Sequence, residues 1–330
     1  MRPVKSSEVL KTSKTDVFLV SNLTNIRYLS GVEVSTGFVL IKPKNTILLV
    51  DGRYTEAAKK TARKGVKVDD LDSLKKHLKG AKTCAFEAED VTVARLANWK
   101  RKKMNTKFVQ SKGVIEEFRR SKEPDELKHF RKAQRITHKI MSRIPKALKT
   151  GITEKQLAEN IRQWAIELGA DELSFDPIVA FGSHTSSPHH HPSSRKLSKG
   201  HIVQIDTGAR VNGYCADQSR VFFTAAKTPE QKRVYAALQR AKQESEAAIK
   251  PGVTNRKIDK IARDILEEEN LNKYFTHSLG HGVGLDIHEG VSLSGKAKIQ
   301  RLLKNEIVTV EPGVYIPGKF GMRLEDEIII

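Results

Sequence analysis

The sequence predicts an α/β domain followed by an α+β domain that contains an internal repeat. Three observations lead to this architecture. Short apolar runs alternate with helical patterns from residue 17 to about residue 115, and from Ile115 the chain becomes highly charged and helical. A pattern of helix, helix and hairpin then occurs twice, with the two copies 101 positions apart. We place the domains at residues 1–118 and 119–330, a division that suits a chain of 330 residues.

The first domain shows a regular alternation of strands and helices. The segment GFVLIKPKNTILLVD, residues 37–51, predicts two strands around a turn, and RYTEAAKKTARK, residues 53–64, predicts a helix. Residues 83–89 predict a strand, residues 91–102 a helix, and residues 107–111 another strand. This alternation is typical of a parallel or mixed sheet covered by helices.

The second domain repeats one supersecondary unit. Each copy contains a helix, a glycine that can close this helix in the left-handed conformation and, two residues later, a threonine suited to cap the next helix. These pairs are Gly151 with Thr153 and Gly252 with Thr254. A predicted hairpin follows each helix pair, at residues 202–223 and 306–330. The repeat predicts two similar halves related by a pseudo-twofold axis, with a groove between them.

The first hairpin carries two aspartates in an apolar context. Asp206 and Asp217 lie within IVQIDTGARVNGYCADQSRVFF, where an uncompensated carboxylate would cost several kcal/mol. If Asn212 and Gly213 form a type I′ turn, Gly208 lies opposite Asp217. Asp206 and Asp217 then project from one face as diagonal neighbours, roughly 7 to 8 Å apart at Cα, a spacing that lets them share metal ions.

The second half of the repeat adds further ligand-type side chains. Glu311 ends an alternating strand, and Arg323 and Glu325 are two residues apart and therefore share a face. Three histidines punctuate the glycine-rich segment THSLGHGVGLDIHEG: His277, His281 and His288. Four carboxylates with one imidazole form an oxygen-rich set that suits Mn, Co or Zn.

Composition limits the other classes of function. The chain has 59 Lys+Arg against 39 Asp+Glu, a net charge of +20, which favours anionic partners in general. The lysines follow predicted helix faces without interleaved aromatic residues, so we interpret them as solvated surface and expect no nucleic-acid partner. Without a long apolar stretch or a secretory signal, we expect a cytoplasmic protein with no membrane association. Cys84 and Cys215 match no metal or disulfide pattern, and we expect small buried side chains.

Four motifs in order resemble a known family. DTGARVNGYCAD, HSLGHGVGLDIHE, VEPGVY and MRLED are similar to the pita-bread metallopeptidases, which include Xaa-Pro aminopeptidase, Xaa-Pro dipeptidase (prolidase) and methionine aminopeptidase. The segment YLSGVEVSTGFVLIKPKNTILLVDGRYTEAA resembles the creatinase-like N-terminal domain of the proline-specific branch. The resemblance implies a pita-bread catalytic domain at 119–330 whose last strands are truncated at EDEIII, and a homodimer.

The resemblance also assigns roles to individual residues. It implies metal ligation by Asp206, Asp217, His281, Glu311 and Glu325, with Asp217 and Glu325 bridging two divalent ions. Asp206 would chelate one ion, and His281 and Glu311 would complete the other. Manganese is the first expectation for the metal, with cobalt and zinc as alternatives. His189, His277 and His288 correspond to substrate-site histidines, and Arg323 to an arginine beside the last ligand, whereas His190 and His191 have no counterpart.

These roles together imply a proline-specific exopeptidase. Such an enzyme hydrolyses the Xaa-Pro bond at the N-terminus of peptides or in dipeptides by attack of a metal-activated hydroxide, with Glu311 as general base and His189, His288 and Arg323 as further catalytic residues. Two alternatives stay open: a catalytically inactive pita-bread protein that binds peptide or nucleic acid, and an activity of the methionine aminopeptidase type. The N-terminal domain disfavours the second, and the presence of all five ligands disfavours the first.

Overall fold

The computed structural model describes residues 5–101 and 105–330. The chain divides into two compact units, and the division falls between residues 119 and 120. Within the described residues, no helix combines the length and the apolar character needed to cross a membrane.

The N-terminal unit is built on one six-stranded mixed sheet. Its strands are β1 Val17–Val20, β2 Phe38–Ile41, β3 Thr46–Val50, β4 Val66–Asp70, β5 Thr83–Glu87 and β6 Lys107–Ser111, in the spatial order β4-β3-β2-β1-β5-β6. Its helices are α1 Ser6–Ser13, α2 Leu23–Ser30, α3 Thr55–Thr61, α4 Leu74–Leu78, α5 Val93–Arg101 and α6 Val114–Arg120. Strand β1 pairs antiparallel with β2 and parallel with β5, which makes the sheet mixed.

The four strands and two helices predicted in this unit are confirmed. The antiparallel pair β2 and β3 surrounds the predicted turn, and α3, β5, α5 and β6 follow in the expected order. The predicted helix at 91–102 ends at Lys102, which lies outside the described residues. Cys84 is buried and free, and burial raises the pKa of its thiol to about 12, in keeping with an inert apolar role.

The C-terminal unit contains two long helix pairs and several small sheets. The helices are α7 Pro124–Ala147, α8 Glu154–Glu167, α9 Pro229–Ala248 and α10 Asn255–Glu268. The strands are β7 Glu172–Leu173, β8 Ile178–Phe181, β9 Ile202–Thr207, β10 Ala209–Val211, β11 Tyr214–Cys215, β12 Gln218–Phe223, β13 Gly280–Gly282, β14 Glu289–Leu293, β15 Ile307–Val310, β16 Gly313–Ile316, β17 Phe320–Arg323 and β18 Asp326–Ile329. Each helix pair covers its own cluster of buried apolar side chains.

The repeat is visible in backbone geometry. Gly151 and Gly252 have φ angles of 92° and 89°, the left-handed values expected at these positions. They do not close the preceding helices, because α7 and α9 end four residues earlier and a short turn leads to each glycine. Thr153 caps α8 by accepting a hydrogen bond from the Gln156 N–H, whereas the Thr254 side chain makes no such bond at the start of α10.

The first hairpin has the predicted register. Asn212 and Gly213 have φ angles of 48° and 81°, as a type I′ turn requires, and the strands pair in one register on both sides of a break. The break lies at Gly208, where a Cβ would approach the Ala216 carbonyl oxygen to 1.6 Å. Only glycine lets the two backbones come this close, and the hairpin therefore splits here into two small sheets.

The second hairpin is interrupted in the same way. Strand β15 pairs with β18 and β16 with β17, both antiparallel and in a common register. Counted through the gap between the two pairs, this register places Glu311 opposite Glu325. Each half of the repeat therefore presents carboxylates at or beside a break in its central hairpin.

Candidate metal centre

A cavity of about 790 Å³ lies within the C-terminal unit. Ligand-type side chains from both halves of the repeat line it: Asp206, Asp217, His277, His281, His288, Glu311 and Glu325, together with His189, His190, His191 and Arg323. All the site residues predicted from the sequence therefore meet in one cavity. The two hairpins contribute the carboxylates, because their breaks turn these side chains toward a common space.

Three of the side chains form the tightest group. One donor atom each from Asp217, His281 and Glu325 lies within 4.8 Å of the others. His281 Nε2 is 3.6 Å from Asp217 Oδ2 and also 3.6 Å from Glu311 Oε1. The His281 backbone N–H donates to Thr309 Oγ1, and its Nδ1 lies 3.1 Å from the Gly282 carbonyl oxygen, a contact that holds the ring with Nε2 toward the carboxylates.

The carboxylates are buried without enough positive charge among the surrounding side chains. Asp206 Oδ1, Asp217 Oδ1 and Glu325 Oε1 are buried oxygens without a hydrogen-bond partner among the described residues. Burial, followed by repulsion from Asp206 and Glu311, raises the pKa of Asp217 well above its ordinary value. Burial, followed by repulsion from Asp217 and Glu311, does the same to the pKa of Glu325. Buried acceptors that lack donors are rare in native proteins, so this arrangement indicates a bound cation.

The pKa of Glu311 is raised less strongly than those of Asp217 and Glu325. Burial raises the pKa of its carboxyl to about 7, and the nearby His281 and Arg323 oppose that rise. His277 Nδ1 lies 3.9 Å from Glu311 Oε2 on the other side. A carboxyl group with a pKa near neutrality can both take up and release a proton at physiological pH.

Arg323 provides the principal cation of the site. It is fully buried, and its Nη2 donates to Asp206 Oδ2 while Nε donates to Ser219 Oγ at 2.9 Å. Nη1 donates to the Tyr315 hydroxyl oxygen at 2.7 Å. Arg323 therefore neutralises part of the charge of Asp206. The charge of the other carboxylates would require another cation.

The three histidines predicted to contact substrate also line this cavity. The His281 and His288 rings meet edge to face with centroids 4.2 Å apart, and His189 lines the same cavity. Burial, followed by repulsion from His281 and His189, lowers the pKa of His288 to about 4. Burial, followed by repulsion from Arg323, also lowers the pKa of His277 to about 4. Both imidazoles are therefore neutral near pH 7.

Two supporting residues escaped the sequence analysis. Tyr315 is buried, and its hydroxyl joins His277 Nε2 at 3.0 Å to Arg323. Glu327 accepts a hydrogen bond from the Asp217 backbone N–H, and burial raises the pKa of Glu327 to about 8. Tyr315 lies within the motif VEPGVY, so the motif could have indicated its role. Nothing in the sequence points to Glu327.

The donor set fits a pair of divalent cations. Several carboxylates and one imidazole converge, and three carboxylate oxygens lack partners among the surrounding side chains. Cations at this position would neutralise the repulsion that raises the carboxyl pKa values. The oxygen-rich composition suits Mn²⁺, Co²⁺ or Zn²⁺.

Comparison with known proteins identifies the family of the chain. Residues 128–330 match the model of Metallopeptidase family M24, and residues 5–121 match that of the Creatinase/Prolidase N-terminal domain. The chain belongs to metallopeptidase family M24. It is therefore a hydrolase with a creatinase-type N-terminal domain and a pita-bread catalytic domain, as the motifs predicted, and its family uses divalent metal ions.

Individual relatives extend this similarity over nearly the whole chain. The chain is 31% identical to an Xaa-Pro dipeptidase of Pyrococcus horikoshii, over 99% of this chain and 93% of that protein. It resembles the solved structure of an Xaa-Pro dipeptidase from Bacillus anthracis with a TM-score of 0.94 and 30% identity, over 99% of this chain and 94% of that one. It also resembles an X-Pro aminopeptidase from Thermotoga maritima with a TM-score of 0.89 and 30% identity, over 98% and 94% of the two chains.

Proposed function

We propose that the chain is a dinuclear-metal exopeptidase that hydrolyses the Xaa-Pro bond of dipeptides or at the N-terminus of longer peptides. The observation that carries this proposal is the convergence of five ligand-type residues on one cavity, with buried carboxylate oxygens that lack hydrogen-bond partners in the described part of the chain. Relatives named Xaa-Pro dipeptidase and X-Pro aminopeptidase support the substrate class.

The proposed ligands divide between the two halves of the repeat. Asp206 and Asp217 come from the first half, and His281, Glu311 and Glu325 from the second. Asp217 and Glu325 are the proposed bridging ligands, which accords with their strongly raised pKa values in a centre without cations. We propose manganese as the metal, with cobalt and zinc as substitutes. When bound, such ions acidify water and stabilise negative charge on a carbonyl oxygen.

Glu311 is the proposed general base. In the loaded centre its carboxylate would accept a proton from the attacking water and pass it to the departing nitrogen. His281 Nε2 lies 3.6 Å from Glu311 Oε1 and Arg323 Nε lies 3.9 Å from Glu311 Oε2, and these groups would favour its ionised form. Glutamine at this position would keep the shape of the side chain but could not carry the proton.

The neutral histidines suit contact with an uncharged peptide group. His288 and His189 line the cavity beside the carboxylates and can donate to the scissile carbonyl oxygen or accept from the departing nitrogen. The Tyr315 hydroxyl forms hydrogen bonds with both His277 and Arg323. We propose that these two hydrogen bonds orient the histidine and the arginine toward substrate.

Proline lacks an amide N–H, so its recognition depends on shape and apolar contact. Phe175, Pro177, Ile178, Ile287 and Val291 line the same cavity and provide apolar surface for a pyrrolidine ring. We further propose domains of 1–118 and 119–330, close to the division between the compact units. A homodimer and a cytoplasmic location stay predictions from the sequence.

A substrate panel tests the proposal. The purified chain is loaded with Mn²⁺ and assayed on Ala-Pro, Ala-Pro-Ala and Met-Ala, with the Glu311→Gln variant as the inactive control. We expect cleavage of at least one of the Xaa-Pro peptides, no comparable cleavage of Met-Ala, and loss of turnover in the variant. Cleavage of Met-Ala alone would establish a methionine aminopeptidase type of activity. An inert chain with Mn, Co or Zn would support the binding protein instead.

A further inference from the structure

A second group of ligand-type side chains lies at the edge of the cavity, separate from the carboxylate centre. It consists of Glu154 at the start of α8 and of His184 and His190 from the segment that follows β8. One donor atom from each lies within 4.8 Å of the others. His190 also lines the cavity, and its neighbour His189 is a proposed substrate contact. The motifs that identify the family give His190 no role.

The donor atoms lie slightly closer together than the ligands of one metal ion. His184 Nδ1 is 2.9 Å from Glu154 Oε1, and His190 Nε2 is 2.9 Å from Glu154 Oε2. Two donor atoms that each bind one zinc ion at about 2.1 Å lie roughly 3.0 to 3.4 Å apart. Small movements of these side chains would therefore admit an ion. The ring centroids are 4.5 Å apart with a tilt of 37°, so both imidazoles face the same carboxylate.

Glu154 is held in place by the surrounding backbone. It is completely buried, the Phe181 N–H donates to Oε1 at 2.8 Å, and the Ser193 N–H donates to Oε2 at 2.9 Å. The Ser193 hydroxyl donates to Oε2 as well. Each carboxylate oxygen thus has a backbone donor that fixes its orientation and a second side occupied by a histidine. Ligating carboxylates in proteins are commonly fixed by hydrogen bonds of this kind.

A cation could also reach this group from solvent. The two histidines retain exposed fractions of 33% and 15%, which leaves a path from solvent to the group.

We propose that Glu154, His184 and His190 form a mononuclear transition-metal site for an ion of the zinc class, in addition to the dinuclear centre. Two imidazoles with one carboxylate and a water molecule form a common zinc ligand set, and this set is richer in nitrogen than the carboxylate centre. An ion at this position would tether residues 184–190, which include His189, to the first turn of α8.

Metal content at equilibrium tests the proposal. The Mn-loaded chain is dialysed against buffered free Zn²⁺, and total metal per chain is measured by mass spectrometry. The variants are His184→Asn and His190→Asn, and the matched control is His191→Asn, an exposed histidine of the same cavity edge. Asparagine at position 184 can still donate to Glu154, so this variant keeps a hydrogen bond while losing the imidazole ligand.

We expect one more metal ion per chain in the wild type and the control than in either variant. Equal metal content in all four proteins would overturn the proposal and leave the group as a hydrogen-bonded clamp. Zinc-induced shifts of the His184 and His190 imidazole NMR signals provide a second measurement that requires no variant, and unchanged signals would also refute the site.

The result is independent of the dinuclear centre. In an Asp217→Asn background, the metal content of the centre falls if the proposed function is correct. The ion that depends on His184 should remain in that background. A loss confined to one of the two sites therefore shows which proposal has failed.

Discussion

Replacing Glu311 by glutamine should stabilise the metal-free chain and destabilise the metal-loaded chain. In the absence of metal, burial raises the pKa of Glu311 from 4.5 to about 7. The folded state therefore binds a proton more tightly than the unfolded state, and stability falls as the pH rises from about 4.5 through 7. Glutamine at this position removes this pH-dependent loss of stability because its side chain does not titrate.

The size of the effect follows from the shift. At about 1.4 kcal/mol per pKa unit, the ionised Glu311 costs the metal-free fold about 3 kcal/mol at pH 8 and almost nothing at pH 4. For a domain of the size of the C-terminal unit, a change of about 3 kcal/mol in stability corresponds to a change of about 6 to 12 °C in Tm. With metal present the sign reverses, because each tenfold loss of affinity removes about 1.4 kcal/mol of stabilisation at a fixed metal concentration.

The assay is thermal unfolding of both proteins at pH 4 and pH 8, with chelator and with Mn²⁺. The matched control is Glu289→Gln, a buried carboxylate of the same cavity that forms a 2.8 Å ion pair with Lys122. Removing it should destabilise the chain with or without metal, because it leaves a buried ammonium without its carboxylate. A Glu311→Gln variant that is less stable than wild type in chelator at pH 8 would refute the reasoning.

Three further predictions concern the support of the site and the N-terminal unit. Tyr315→Phe removes a hydroxyl that forms hydrogen bonds with both a histidine and an arginine. We therefore expect the variant to lose about 1 to 3 kcal/mol in stability and to have a lower kcat/KM. Wild-type values of both quantities would show that the hydroxyl is dispensable. Gly208→Ala should prevent both correct hairpin pairing and metal retention, whereas Gly52→Ala, where a Cβ meets no atom within 4 Å, should change neither. A Gly208→Ala chain with full metal content would contradict this. Burial raises the pKa of Glu87 to about 7. The stability of the wild type should therefore fall relative to that of Glu87→Gln as the pH rises from about 4.5 to 7. Parallel pH profiles of the two proteins in urea unfolding would contradict the raised pKa of Glu87.

The features that the sequence predicted well depend on local geometry. The asparagine and glycine at positions 212 and 213 set the turn, the turn set the register, and the register put Asp206 and Asp217 on one face. The structure has that register on both sides of the break at Gly208. The helix pairs of the repeat were predicted equally well, because capping residues and helical periodicity lie close together in the chain.

The features that were missed depend on contacts between distant residues. The Tyr315 hydroxyl reaches a histidine 38 positions away, and Glu154 reaches histidines 30 and 36 positions away. Strand β1 enters the N-terminal sheet between β2 and β5, an order that no local pattern specifies. The left-handed glycines were predicted, but their place beyond the helix ends was not, because the preceding turns differ from a simple helix cap.

The central claim is that two metal ions held by five residues make the chain an Xaa-Pro exopeptidase. It is tested most directly by adding Mn²⁺ stepwise to the metal-free chain and measuring the initial rate of Ala-Pro or Ala-Pro-Ala hydrolysis. Manganese prefers oxygen ligands, so it should fill the carboxylate centre before the nitrogen-rich site. We predict that the rate rises and becomes constant at two equivalents per chain. A rate that becomes constant at one equivalent, or no hydrolysis at any amount of metal, would contradict the claim.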